Sequence, residues 1–245
     1  MFDFTHTRQH AAKLVILALS LIIVFELSPV LNFEFSDWIF AKGNGNFKWR
    51  NSFWFETVLH DQAQILPIVI FLAVMCCWVS SFQLTRLQSW RRPLGYVLVA
   101  GTAAALSVDL LKHLTDQACP WNLEHFGGET VFRPWFIFAA DEPQQCWPGG
   151  HASGGFAQFA WVFALYQRGQ KKLATWVFVG VLIYGNVLGF AQVFRGAHFL
   201  SDHLWTALIC WVVSWSVYCI WPWAGPVKTP RPNLNAANEG YNALQ

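Results

Sequence analysis

In the segment FRGAHFLSDHLW, residues 194–205, an arginine, a histidine and an aspartate stand three and four positions apart as Arg195, His198 and Asp202. If a helix begins near His198, then His198 and Asp202 share one face and Arg195 precedes them by a turn. A carboxylate beside a histidine fixes its ring tautomer and raises its nucleophilicity. Two further segments carry matching chemistry. KHLTDQACPW (112–121) supplies Lys112, and CWPGGHASGG (146–155) sets His151 directly after Gly149 and Gly150. Free amides at a helix N-terminus make an anion site, and Lys112 and Arg195 add cationic donors for phosphate, the arginine as a two-pronged fork. Two histidines, an aspartate and cations around an amide-rich turn suit phosphoryl transfer through a covalent histidine. That chemistry needs no metal and no other cofactor.

The elements that must position these residues are membrane helices. Of the 245 residues, 55% are hydrophobic and only 12% charged, about half the charged share of a soluble domain, roughly 25%. The net charge of +2 is too small to argue for a nucleic-acid partner. Apolar runs of spanning length recur at about 13–32, 64–83, 93–112, 151–168, 174–193 and 203–223, which predicts an all-α, polytopic bundle of six transmembrane helices. Residues 1–226 form one membrane domain, and the polar stretch from Val227 to the end reads as a disordered tail. Gly154, Gly155, Gly185 and Gly189 interrupt the fourth and fifth runs, where glycine permits close helix approach.

With both termini in the cytoplasm, ten of the sixteen basic residues fall inside, among them those of RLQSWRR (86–92) and RGQKK (168–172), as the positive-inside bias requires. Loops of about 33–62, 113–150 and 194–202 then face out, and all three chemical segments lie on that side. Cys119 and Cys146 are the two cysteines of an outer loop. They can pair if that side is oxidising; two unlinked thiols are the other reading.

Each residue has a plainer explanation. The His198–Asp202 pair alone can be a structural hydrogen bond, and Lys112 and Arg195 can snorkel to headgroups. His113, His125 and His203 read as interfacial. A metallohydrolase would use His198, Asp202 and His203, but their spacing is not that of a zinc motif. A transporter or non-catalytic scaffold would place its charges at mid-membrane, not at span ends. The fifteen tryptophans read as interfacial belts, and the first outer loop, with FKWRNSFWFE (47–56), as a segment lying flat on the membrane. Oligomeric state is not legible.

The three segments together resemble the signature motifs of the type 2 phosphatidic acid phosphatase superfamily: K-x6-R-P, P-S-G-H and S-R-x5-H-x3-D. Here they read Lys112, six residues, Cys119-Pro120; then Pro148-Gly149-Gly150-His151; then Ala191-Gln192, five residues, His198, three residues, Asp202. The resemblance covers about residues 60–223. It implies His198 as the nucleophile, Asp202 as its orienter, His151 as the proton donor to the leaving group, and Lys112 with the Gly149 and Gly150 backbone around the phosphate. It implies a lipid phosphatase at the periplasmic face of a bacterial inner membrane, acting on undecaprenyl diphosphate, lipid A or a phosphatidic-acid-type lipid; a lipid phosphotransferase is the alternative within the family. Three family positions differ, with Cys119, Gly149 and Gln192 replacing arginine, serine and arginine. Arg195, three residues after Gln192, and Arg133 are the candidate substitutes.

Overall fold

A computed structural model gives the structure at residues 15, 16, 19, 29–133 and 144–223. The elements described are helical: α1 (Pro29–Lys42), a π-helix (Trp54–Gln62), α2 (Ile65–Ser80), α3 (Arg91–Leu114), α4 (Gly150–Phe156), α5 (Phe159–Gln167), α6 (Lys171–Phe194) and α7 (Leu200–Ile220), with short 3-10 turns between some of them. Among the described residues no strand forms, only an isolated bridge between Leu123 and Thr130.

Four helical runs are long and apolar enough to cross a bilayer: Trp54–Ser80, Thr85–Leu114, Lys171–Phe194 and Leu200–Ile220. They correspond to the second, third, fifth and sixth expected spans. The 24 residues of α3 extend about 36 Å at ~1.5 Å per residue, more than the ~30 Å of hydrocarbon. The fourth expected span is two shorter helices, α4 and α5, separated at Ala157 and Gln158 just after Gly154 and Gly155. The first expected span lies mostly outside the described residues, and the expected tail, 227–245, lies wholly outside them.

The helices differ in what they bury. On α2 only Val74 is buried, and Ile65, Leu66, Ile68, Val69 and Leu72 are all exposed. A helix apolar all round and this uncovered is built to face lipid. On α3, Ala100, Ala104 and Val108 repeat every four residues and are wholly buried, against α7 and α5. In lipid the apolar surface gains nothing by leaving water, so association depends on close packing of small residues. Gly155 of α4 and Gly185 of α6 meet in this way: a Cβ on Gly155 would stand 2.7 Å from the Gly185 Cα.

Above one end of the bundle sits a second core of Ile39, Phe47, Leu123, Phe126, Val193 and Phe199. The expectation of a first outer loop lying flat on the membrane is corrected by this cap. Ile39 is wholly buried and Phe47 nearly so, because Phe40, Phe47 and Phe126 pack on each other. Where water reaches, burying one such side chain stabilises by about 1.5–3 kcal/mol. The belt reading also fails for Trp147 and Trp211, which are buried inside the protein.

Candidate active site

The connection between α6 and α7 holds Arg195 and His198, and Asp202 follows in the first turn of α7. Arg195 caps α6, and Gly196 follows in the left-handed region at φ +76°. A side chain at Gly196 would also strike the Phe47 ring, with a Cβ 2.5 Å from it. Only glycine accepts both that conformation and that approach. α7 then starts at Leu200, two residues later than expected. His198 and Asp202 still meet, because the Asp202 carboxylate reaches back over the N-terminus. It accepts the Phe199 amide at 2.8 Å and lies 3.4 Å from the His198 Nδ1, a close contact that is not aligned as a hydrogen bond. The Gln117 amide approaches its other oxygen at 3.5 Å. Asp202 is wholly buried and His198 nearly so. With Nδ1 turned to the carboxylate, Nε2 is the nitrogen on the far side of the ring.

The turn before α4 is tied to both neighbouring helices. The Gly149 amide donates to the Asp202 carbonyl at 3.2 Å. The Thr206 hydroxyl donates to the Gly149 carbonyl at 2.9 Å, and that of Thr115 donates to the Trp147 carbonyl. Lys112, in the last turn of α3, brings its Nζ to 3.5 Å from where a Cβ on Gly150 would stand. The ends of α3 and α7 and the start of α4 thus converge. One expectation is corrected: the Gly149 amide is spent on Asp202, so the amides of this turn open to an anion begin at Gly150.

His151 lies in the first turn of α4, outside the four spanning runs, and the π-helix closes over it. The two imidazoles of His60 and His151 stack with centroids 4.3 Å apart and planes 8° from parallel. Gln64 places its amide against both ring nitrogens of His151. Burial first, then the neighbouring His60, lowers the His151 pKa to about 4, with His198 adding to the effect. The ring is therefore neutral near pH 7 while no anion is bound. π-helical turns occur commonly beside functional groups.

Arg195 is buried and held on three sides. Its Nε donates to the Arg50 carbonyl at 2.8 Å, one terminal nitrogen to Gln192 Oε1 at 3.0 Å, and the other approaches Glu56 at 3.5 Å. Burial lowers its pKa, opposed by Glu56 and Asp61. The arginine thus stands against the glutamine that occupies the family's arginine position. Gln192 Nε2 has no acceptor among the described residues.

Arg133 is not brought into this group: it is half-exposed and paired with Asp116 at 3.6 Å. Cys119 and Cys146 are joined, with Cα atoms 5.2 Å apart, and close the loop that carries the cap. His113 and His125 are exposed. His203 is not interfacial. It is buried beside Phe190, over Gly189, whose Cβ would lie 2.8 Å from it. Among the described residues no three His, Cys, Asp or Glu side chains gather to hold a metal ion.

Glu56, His60, Gln64 and Gln117 are not singled out by the sequence. A signal for the first three is present in ETVLHDQAQ, residues 56–64, since ionisable residues at the outer end of a span are a functional flag. It is masked because the neighbouring alternation of apolar and polar residues reads as a membrane-surface segment.

A helical membrane protein with histidines, a carboxylate and cations gathered at one end of its spans belongs among the enzymes that handle phosphate esters at a bilayer. Residues 93–226, more than half of the chain, match the PAP2 superfamily, and the chain belongs to that family. It is a phosphatase, a hydrolase of phosphoric esters. It is similar to the lipid A 4'-phosphatase of Francisella tularensis subsp. novicida (strain U112), 25% identical over 167 residues that cover 66% of this chain and 73% of that protein. No solved structure gives a significant match.

Proposed function

We propose that this phosphatase removes a phosphate group from a membrane lipid at the outer face of a bacterial inner membrane, through a phosphohistidine on His198. The observation that supports this most is the convergence of Lys112, His151 and the His198–Asp202 pair from three distant segments. His198 Nε2 attacks phosphorus while the bond to the lipid oxygen breaks. Asp202 holds the ring and offsets its positive charge. His151 protonates the departing oxygen. Its pKa is low in the free enzyme, and an arriving phosphate anion raises it, so the proton is acquired with the substrate. In the second half, His151 takes a proton from water, water attacks phosphorus, the P–N bond breaks and inorganic phosphate leaves.

Lys112, Arg195 and the amides from Gly150 onward carry the charge that grows on the phosphoryl oxygens. Arg195 stands in for the arginine missing at Gln192, whose side chain it contacts; Arg133 is the weaker substitute because it is half-exposed beside Asp116. The chain crosses the bilayer six times with both termini in the cytoplasm, as the basic residues of 86–92 and 168–172 favour. Among undecaprenyl diphosphate, phosphatidic-acid-type lipids and lipid A, the similarity to a lipid A 4'-phosphatase favours a lipid A phosphate.

The test is phosphate release by the purified protein from these three lipids. Lipid A turned over fastest is expected. Release from none of them, or a phosphorylated acceptor lipid in place of free phosphate, contradicts the reading. Orientation is checked separately: in intact cells with the outer membrane permeabilised, Glu129→Cys should react with an impermeant thiol reagent and Lys172→Cys should not.

A further inference from the structure

About 32 Å along α3 from Lys112, at ~1.5 Å per residue, its first residues line a polar cavity. Arg91 and Arg92 face it from α3 and Arg168 from the end of α5, with Gln88, Ser89 and Gln167 between them, around a volume of about 570 Å³. Three guanidinium groups meet there, and among the described residues none has a carboxylate within ion-pair distance. Like charges gathered without an anion are costly. Nor are the side chains loose. Arg92 donates to the Trp223 carbonyl at 2.9 Å, and Arg168 to that of Ser89 at 2.8 Å. Arg168 also stacks on Trp90 at 3.9 Å, and Arg91 on Phe82 at 4.3 Å. A guanidinium has five N–H donors, so most remain unspent; Nε of Arg91 and Arg168 has no acceptor among the described residues.

Arg91 and Arg92 also line a second, apolar cavity of about 630 Å³, which continues between α2 and α3 past Phe71, Met75, Leu98 and Val99 to Leu106. From Arg91 to Leu106 is about 22 Å of helix, enough to accompany an acyl chain through one leaflet, about half of ~30 Å. A cationic pocket at the membrane surface opening into an apolar groove along the bilayer has the shape and polarity of an amphiphile.

We propose that the two cavities form one site for an anionic phospholipid of the leaflet opposite the active site, with its phosphate among Arg91, Arg92 and Arg168 and an acyl chain between α2 and α3. A zwitterionic headgroup would bring an ammonium into a ring of arginines, so the site selects net negative charge. Bound there, the lipid fastens the start of α3 to the end of α5.

The experiment uses the full chain in zwitterionic detergent, with phosphatidylglycerol, phosphatidylcholine or inorganic phosphate added, read by native mass spectrometry and thermal unfolding. One phosphatidylglycerol should be retained per chain with a rise in Tm, and phosphatidylcholine should do neither. His198→Ala should keep this behaviour, which separates the site from the active site. The combined variant R91Q/R92Q/R168Q should lose retention at least tenfold. Should that variant fail to fold, Val99→Trp leaves the arginines in place and fills the groove from an exposed position; it should weaken retention equally. The proposal is overturned if phosphatidylcholine is retained as well, if inorganic phosphate gives the same stabilisation, or if the folded variants retain phosphatidylglycerol like the parent.

Discussion

The two ends of α3 carry cations in opposite ways. At the Lys112 end, charges of both signs are matched and fixed: Asp202 lies against His198, Glu56 approaches a buried Arg195, and His151 is held by Gln64 and stacked on His60. At the Arg91 end, three arginines line a cavity with no carboxylate among its lining residues. Phosphoryl transfer depends on donors already oriented towards the charge that develops, and holding them in place takes counter-charges and tight turns. Retaining an anionic headgroup needs charge and space, with little demand on direction. The first end should therefore respond steeply to small changes of geometry and the second should not.

The largest effect expected is from His198→Ala, which removes the proposed nucleophile and should reduce kcat by about a thousandfold or more; a loss under tenfold would place the chemistry elsewhere. Next comes Arg195→Ala, with a loss of about a hundredfold. Arg195→Lys should not restore the rate, because the lysine cannot reach Arg50, Gln192 and the phosphate as a planar fork does. Gln192→Ala should cost only a few-fold. If Arg195→Ala keeps full activity, the phosphate is held by Lys112 and the turn amides instead.

His60→Gln should lower kcat modestly but change its pH dependence. His60 is one of the causes that hold the His151 pKa at about 4, so its removal raises that value towards the ordinary 6.5. As the acid of the first step His151 must be protonated, so the alkaline limb of kcat/KM should move to higher pH; an unshifted profile would make the stacked ring a bystander. The smallest effect is expected at the other end, where Arg168→Gln should leave turnover in zwitterionic micelles unchanged.

The comparison also separates what the sequence discloses from what it does not. Four spans are legible because apolar length is a local property, and the chemical segments are legible because their spacing is too. The reach of Asp202 back to His198 over the start of α7 is visible as an interval of four residues. The π-helix over His151 is not. Its ionisable residues are ordinary as a set, and their role depends on a fold-back that brings residue 60 to residue 151. The aromatic cap is hidden for a related reason: alternating apolar and polar residues describe a surface segment equally well whether it lies on lipid or on another loop. Gly196 is likewise silent, since the need for it arises from Phe47, far away in the chain.

The central claim is that His198 is phosphorylated during turnover. It is tested most directly by incubating the protein with phosphorus-labelled lipid, quenching in alkali and analysing the hydrolysed chain for phosphoamino acids. Label should appear as phosphohistidine, stable in alkali and lost in mild acid, and should map to the peptide containing His198. It should be absent from His198→Ala and still form in Arg195→Ala at a reduced rate. Label on another residue, or on the His198→Ala protein, would contradict the account.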